Sequence, residues 1–292
     1  MRACLFETPT GETAVGRIEG ETVIAVDAPD VPAYLTSGGV DVSEHALCDV
    51  TLLAPVPHPP SVRDFYCFHG HAKTAMARRG REVPPEWYRS PRFYFSNAVA
   101  IIGPESEVGF PDTCAERDYE LELAAIVGTA GRIAGFTIMN DWSARDLQRE
   151  EMTIGLGPVK GKDFATSLGP CVLSADAMRG RDLAMIARVN GEVRTQANSS
   201  LMYHSWDSVL AYAARDTRLQ PGDILGSGTV DGGCILEHGD GRWLQPGDVV
   251  ELEIEGIGVL RNRVASPVVA ASDGAAGNAE LAPPPHAREI GA

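Results

Sequence analysis

Residues 116–128 read Glu-Arg-Asp-Tyr-Glu-Leu-Glu-Leu-Ala-Ala-Ile-Val-Gly, an acidic segment that continues into an apolar one. Side chains alternate between the two faces of a β-strand, so Asp118, Glu120 and Glu122 are predicted to share one face. Residues 124–127 are apolar on both faces, which is typical of a strand buried within a sheet. We therefore predict a buried strand over residues 121–127 with three carboxylates at its start.

The carboxylates at the start of this strand could be exposed to solvent or buried beside a cation. On spacing alone, a solvated acidic face is the simpler interpretation. Burial argues against it, because an unpaired desolvated carboxylate costs several kcal/mol unless a cation compensates it. With no Cys or His nearby, the favoured ion is Mg²⁺, Ca²⁺ or Mn²⁺ rather than Zn²⁺. The next acid along the chain, Asp141, stands where a strand should end and a helix begin, and a helix N-cap is its alternative role.

The remainder of the chain alternates short apolar runs with Gly, Pro and Asp turns, which indicates a mainly β architecture with a few short helices. Asn190-Gly191 between two apolar runs is typical of a β-hairpin with a primed turn. Further strands are predicted over residues 64–66, 92–96, 98–102, 134–139, 224–225, 234–237, 249–254 and 258–263, and helices over residues 71–80, 144–152 and 209–214.

Composition shifts suggest three segments. Residues 1–60 are predicted to form a small β-rich domain that ends in a Pro-rich linker, residues 61–270 the catalytic domain, and residues 271–292 a disordered tail rich in Ala, Gly and Pro.

The overall charge limits the classes of partner. A formal net charge of -15 and a pI near 4.9 argue against binding to nucleic acid or to an anionic membrane surface. The sequence has neither a signal-peptide core at its start nor an apolar run long enough to span a membrane, so a cytoplasmic location is predicted. The six scattered cysteines are predicted to be reduced and mostly buried. An anionic substrate would need a local cluster of Arg and Lys.

These segments together resemble the fumarylacetoacetate hydrolase family from about Arg63 to Val264. The Glu-x-Glu strand is followed in the right order by Met-Asn-Asp-Trp-Ser-Ala-Arg-Asp-Leu-Gln at 139–148, Gly-Lys-Asp-Phe at 161–164 and Gly-Ser-Gly-Thr at 226–229. The resemblance implies a mixed β-sandwich and β-roll fold and a homodimer. It also implies a divalent cation, with Mg²⁺ expected first and Ca²⁺ or Mn²⁺ as alternatives.

The resemblance also implies roles for individual residues at the cation. His71 would be the general base and Glu237 its partner, whereas many bacterial relatives place that Glu where this chain has Thr74. His69 is a rival base that does not match the motif. The expected metal ligands are Asp64, Glu120, Glu122 and Asp141, with Lys162 and Thr166 beside the metal.

A substrate pocket and a reaction follow from the same resemblance. Arg145, Gln148 and Lys162 would stabilise an oxyanion. The pocket residues would be Tyr66, Arg79, Tyr94, Gln148, Gly228 and Thr229, although singly each also fits a structural role. Asp163 and Met152 stand where the family usually has Ser and Tyr, which affects the expected substrate.

The expected reaction is hydrolysis of a carbon–carbon bond in a 1,3-dicarbonyl acid such as an acylpyruvate or fumarylacetoacetate. The alternatives are a metal-dependent decarboxylase, hydratase or isomerase of 2-oxo acids on the same fold, or a non-catalytic homologue. In each catalytic case the partner is a small-molecule acid.

Overall fold

The computed structural model describes residues 1–266, so the predicted disordered tail over residues 271–292 lies outside the described part of the chain. The helices are α1 (Val31–Ser37), α2 (His69–Ala77), α3 (Pro85–Arg89), α4 (Arg145–Glu151), α5 (Ala175–Met178), α6 (Trp206–Ala214) and α7 (Ile235–His238). The strands are β1 (Arg2–Glu7), β2 (Thr13–Glu19), β3 (Thr22–Asp27), β4 (Val40–Ala46), β5 (Thr51–Leu52), β6 (Val62–Phe65), β7 (Phe93–Ser96), β8 (Ile101–Ile102), β9 (Glu107–Val108), β10 (Arg117–Asp118), β11 (Leu121–Val127), β12 (Ile133–Asp141), β13 (Ser143–Ala144), β14 (Thr166–Ser174), β15 (Ala184–Val189), β16 (Glu192–Asn198), β17 (Ile224–Gly226), β18 (Val249–Ile254) and β19 (Gly258–Val264).

A 12-stranded sheet forms the centre of the molecule, with the order β4-β3-β2-β1-β14-β12-β11-β17-β6-β7 and with β5 and β8 attached beside β1 and β14. Every residue of β11 is buried, including Glu122, as the apolar residues 124–127 of this strand lead us to expect. Its two faces enter different parts of the core: Leu123 and Ala125 pack into one hydrophobic cluster, while Ala124 and Ile126 pack into another. The mainly β fold predicted from the sequence is therefore confirmed.

A second sheet of five strands, in the order β16-β15-β18-β19-β9, packs against the first. Leu123 and Ile138 of the larger sheet share one cluster with Met185, Leu252 and Leu260 of the smaller one. Each such side chain, when buried, stabilises the folded protein by about 1.5–3 kcal/mol. The interface between the two sheets is therefore a main source of stability. None of the helices within residues 1–266 combines the length and apolar character needed to cross a membrane.

The first four strands continue the central sheet. β1 pairs with β14 in antiparallel fashion, with Ala3 opposite Val172, and β2, β3 and β4 follow outward. The division of the chain at about residue 60 stays a prediction.

The structure corrects several sequence-based expectations. Residues 234–237 do not form a strand but lead into α7, because the Asp118 carboxylate accepts hydrogen bonds from the N–H groups of Ile235 and Leu236 and so satisfies donors at the helix start. Asp141 is not a helix N-cap, since α4 begins only at Arg145 and the strand β12 runs through Asp141.

The acidic stretch is not one continuous strand either. β10 ends at Asp118 and pairs with β13, while β11 begins at Leu121 in the central sheet. The two strands therefore belong to different sheets, and Asp118 is not one of the four acids that cluster together.

Candidate functional site

Four carboxylates extend the apolar face of the central sheet at one end. Glu122 lies on the same face of β11 as Ala124, which belongs to the cluster that also contains Val62 and Met139. Because side chains two residues apart share a face, Asp64 follows Val62 on β6 and Asp141 follows Met139 on β12. Antiparallel pairing sets the start of β11 beside the end of β12, with Glu122 opposite Met139. The sheet thus brings together acids that are far apart in sequence.

Gly226 on β17 lies between the strands that carry these acids, paired with Asp64 on one side and with Ala124 on the other. A Cβ atom at this position would lie 2.6 Å from Asp64 Oδ1, 3.0 Å from Glu122 Oε2 and 2.4 Å from Met139 Cε. Glycine is therefore needed here because any side chain would enter the space between the carboxylates.

One oxygen from each of Asp64, Glu120, Glu122 and Asp141 lies within 4.8 Å of all the others, and all four residues are buried. Among residues 1–266, the buried atoms without a hydrogen-bond partner include Asp64 Oδ1, Glu122 Oε1 and Asp141 Oδ1. Buried acceptors are normally satisfied, so three of them in one cluster indicate a missing positive partner. A divalent cation with oxygen ligands fits this carboxylate cluster.

The pKa values of the four carboxyl groups in the cluster are not all shifted in the same direction. Burial, followed by repulsion from Asp141, raises the pKa of Asp64 well above its ordinary value, and burial with repulsion from Asp64 does the same for Glu122. Burial also raises the pKa of Asp141. Burial acts in the same direction on Glu120, but the positive charges of Lys162 and Arg145 outweigh it and hold its pKa well below the ordinary value.

Lys162 lies beside the carboxylate cluster. Its buried ammonium group donates to Glu120 and, over 2.5 Å, to Asp141 Oδ2. Burial alone would lower the pKa of Lys162, but Asp141 and Glu120 raise it, so the side chain stays charged. Tyr94 donates its hydroxyl to the same Asp141 oxygen over 2.5 Å, and Thr166 lies opposite Asp141 in the neighbouring strand.

All three guanidinium nitrogens of Arg145 donate hydrogen bonds. Nε donates to Asp118 Oδ2 over 2.8 Å, Nη2 to Glu120 Oε1 over 2.7 Å and Nη1 to Gln148 Oε1 over 3.1 Å. This arrangement favours a positioning role for Arg145 rather than the oxyanion contact expected from the sequence. Gln148, whose carbonyl oxygen is occupied, keeps its amide NH₂ group for the cavity that it lines.

His71 and Glu237 lie next to each other. His71 is on α2 and Glu237 on α7, and His71 Nδ1 lies 2.8 Å from Glu237 Oε2 with both side chains buried. Glu237 also accepts from the N–H group of Gly232 over 3.1 Å, which fixes its orientation. The rival His69 instead contacts the Tyr88 hydroxyl over 2.8 Å and is not one of the residues lining the cavity.

A cavity of about 350 Å³ opens over the carboxylate cluster, within the size range of small-molecule sites. It contains His71, Lys162, Arg145 and three of the four cluster acids, the exception being Asp141. All the predicted substrate residues line it, namely Tyr66, Arg79, Tyr94, Gln148, Gly228 and Thr229. Gly228 has φ +78°, and a Cβ there would lie 2.4 Å from the Phe65 carbonyl oxygen, so it permits close backbone packing at the cavity wall.

The cavity also has lining residues that the sequence did not indicate, which are Phe65, Ala75, Met76, Arg92, Phe93, Pro158 and Leu236. Most are apolar. The periodic patterns identify them only as core or loop residues. Of the two departures from the family pattern, Met152 lines the cavity, whereas Asp163 pairs with Lys160 over 2.7 Å outside it. Met152 is therefore the departure that can affect substrate choice.

Comparison with known proteins agrees with this geometry. The family model for the C-terminal domain of fumarylacetoacetate (FAA) hydrolase matches residues 61–265. The chain is 32% identical over 229 residues to the mitochondrial oxaloacetate tautomerase FAHD2A of Homo sapiens, covering 74% of this chain and 70% of the relative.

Two solved structures are similar to the chain, each covering 91% of it and 99% of the other chain. A 5-carboxymethyl-2-hydroxymuconate delta-isomerase from Mycobacterium smegmatis superposes with a TM-score of 0.73 at 27% identity. A fumarylacetoacetate hydrolase from psychrophilic Exiguobacterium antarcticum superposes with a TM-score of 0.72 at 29% identity. The chain therefore belongs to the fumarylacetoacetate hydrolase family.

Proposed function

We propose that this protein is a divalent-cation-dependent enzyme that shifts a proton between carbon and oxygen, or along a conjugated chain, in a 2-oxo acid. The observation that carries this proposal is the His71–Glu237 pair at a cavity over the carboxylate cluster. The relatives support proton transfer over the carbon–carbon hydrolysis first expected from the sequence, because similar proteins are named as an oxaloacetate tautomerase and as a hydroxymuconate isomerase.

Proton transfer needs a base beside the acidic carbon of the substrate. Glu237 Oε2 lies 2.8 Å from Nδ1 of His71, so we assign Nε2 as the nitrogen that serves the cavity. The carboxylate orients the imidazole and stabilises its charged form after it takes the proton. His71 would then return this proton to the other position of the substrate, which completes a tautomerisation or isomerisation without consuming water.

The negative charge that forms on the substrate oxygen needs partners. A divalent cation in the carboxylate cluster, with Mg²⁺ expected first and Ca²⁺ or Mn²⁺ as alternatives, would supply Lewis-acid polarisation of the substrate oxygens. The amide of Gln148 and the third N–H of Lys162 are the protein donors next to that position. Loss of one such donor typically costs about 3–4 kcal/mol of barrier.

The substrate acid is held at the mouth of the cavity. Arg79 is exposed there, while Thr229 is buried in the wall. A guanidinium group suits bidentate contact with a carboxylate, and the hydroxyls of Tyr66 and Thr229 can complete its hydrogen bonds. Arg79 would thus overcome locally the repulsion that the acidic protein as a whole exerts on an anion.

Hydrolysis of a 1,3-dicarbonyl acid is the second candidate, because the same His71–Glu237 pair can activate a water molecule and a neighbour of similar fold is named as a fumarylacetoacetate hydrolase. Mass spectrometry of products formed in ¹⁸O-labelled water separates the two. Our proposal expects keto–enol or double-bond interconversion of 2-oxo diacids with no cleavage. Cleavage products that carry solvent oxygen in a new carboxylate would contradict this proposal and show that the enzyme is a hydrolase. A homodimer and a cytoplasmic location stay predictions.

A further inference from the structure

A second group of side chains that could bind a metal ion consists of the proposed general base, His71, and two residues next to it. His71 Nδ1 is 2.8 Å from Glu237 Oε2, and Cys234 Sγ is 3.5 Å from the same oxygen. One atom from each of the three residues lies within 4.8 Å of the other two. Cys234 and Glu237 are held together by α7, which contacts α2 and thereby His71.

This group differs chemically from the carboxylate cluster. The carboxylate cluster offers only oxygen, which suits Mg²⁺ and other hard cations. The second group offers an imidazole nitrogen, a thiol sulfur and a carboxylate oxygen, a ligand set that favours Zn²⁺. The ordinary role of a buried cysteine is to fill space as a small apolar residue, but filling space does not require contact with a catalytic carboxylate.

We propose that His71, Cys234 and Glu237 form a soft-metal site for Zn²⁺, and that occupation of this site inhibits the enzyme. Zn²⁺ would displace the thiol proton and bind sulfur, Nδ1 and one carboxylate oxygen, with the fourth position open to water or substrate. A tetrahedral zinc with bonds of about 2.0–2.3 Å places its ligand atoms roughly 3.3–3.7 Å apart. The separation of 3.5 Å between Cys234 Sγ and Glu237 Oε2 lies in this range, and Nδ1 of His71 would have to move away from its present 2.8 Å contact with that oxygen.

The charges also balance. A thiolate and a carboxylate together neutralise Zn²⁺, and His71 binds as the neutral ring, so the occupied buried site carries no net charge. Inhibition follows because zinc at Nδ1 replaces Glu237 as the partner of His71. The imidazole then cannot take a proton at Nε2 as readily, since a bound dication disfavours its charged form. An enzyme activated by a hard cation would thus be switched off by a soft one.

The site can be tested without any substrate by titrating Co²⁺, a spectroscopic substitute for Zn²⁺, into the full-length protein already saturated with Mg²⁺. The wild type should develop a sulfur-to-cobalt charge-transfer band at one equivalent, and Cys234→Ser should not. Cys171→Ser is the matched control, because Cys171 is also buried but its thiol donates to the Ile257 carbonyl oxygen and not to Glu237. Loss of the band only in Cys234→Ser supports the site. A band that persists in Cys234→Ser, or no band in the wild type, overturns it.

Inhibition is tested separately, by buffered Zn²⁺ titration of the Mg²⁺-supported activity. Cys234 is not among the residues that line the cavity, so Cys234→Ser should keep its turnover. It should require at least about tenfold more Zn²⁺ for half inhibition, equivalent to about 1.4 kcal/mol of lost affinity. Equal inhibition of both proteins would place the zinc effect at the carboxylate cluster instead. If Cys234→Ser does not fold, Cys234→Ala serves in both experiments. The cobalt band also decides the site if the proposed reaction is wrong, because it needs no turnover.

Discussion

Two neighbouring acids of the carboxylate cluster should respond in opposite directions to the same substitution. Glu120 and Glu122 are both buried, but Glu120 accepts from Arg145 and Lys162. Glu122 Oε2 accepts only from the Gly228 N–H group, over 3.2 Å, and its Oε1 is among the unsatisfied buried atoms of residues 1–266. Glutamine keeps the shape of each side chain and removes its charge, so the pair separates charge from packing.

The magnitudes follow from these contacts for the metal-free protein. Glu120→Gln leaves two buried cations without their shared partner, and breaking a buried ion pair from one side typically costs about 3–5 kcal/mol of unfolding free energy. Glu122→Gln removes repulsion from neighbouring carboxylates, which amounts to about 4 kcal/mol for full charges 4 Å apart at an effective dielectric of 20. Part of this gain is offset because glutamine is also buried there, so we expect a net gain of about 1 kcal/mol, in the direction in which burial and repulsion from Asp64 raise the pKa of Glu122.

The assay is equilibrium unfolding in urea with a chelator at about pH 8, where carboxylate repulsion is largest. With Mg²⁺ at about a hundred times its dissociation constant, the wild type should gain about 2.7 kcal/mol, and both variants should lose that gain. Equal destabilisation of the two metal-free variants would refute the division of charge in the cluster. A full Mg²⁺ response in Glu122→Gln would remove that residue from the set of ligands.

Three further predictions concern the same site. The increase in melting temperature on adding Mg²⁺ should grow as the pH rises from about 5, because the carboxyls with raised pKa bind protons in the folded metal-free protein and lose them to the cation; a shift independent of pH would contradict this. His71→Ala should lower kcat about a hundredfold or more, whereas a change confined to KM would indicate a binding role. Asp118→Asn should destabilise the protein by about 3 kcal/mol and also lower kcat, since Asp118 holds both Arg145 and the start of α7. Asp223→Asn, which weakens the buried Arg63 pair, is the control and should affect stability without lowering kcat of the folded enzyme.

The sequence predicts the central strand and its chemistry well because both depend on local patterns. Residues 124–127 are apolar on both faces, and β11 has the predicted bounds of 121–127. The Asn190-Gly191 turn is confirmed too, with φ values of +51° and +78°, as a type I′ hairpin requires. The convergence of Asp64 and Asp141 on this strand followed from the family resemblance and not from spacing.

Other features depend on contacts that no local pattern contains. The strand β14 was not predicted because Gly169-Pro170 interrupts its pattern, yet the register shift beside it shows that Pro170 lies at a bulge, where the missing N–H is tolerated. Residues 234–237 were wrongly predicted as a strand because their helix start is satisfied by Asp118, more than a hundred residues earlier. Arg92 and Leu236 line the cavity because the folded chain brings them there, and no local sequence pattern indicates this position.

The most direct test of the account is the position of a divalent cation in a crystal of the protein grown or soaked with Mn²⁺. Anomalous scattering should give one strong peak surrounded by carboxylate oxygens of Asp64, Glu120, Glu122 and Asp141. The peak should be absent from crystals of Glu122→Gln treated in the same way. A peak elsewhere in the wild type, or no peak at saturating Mn²⁺, would contradict the claim that these acids form a metal centre.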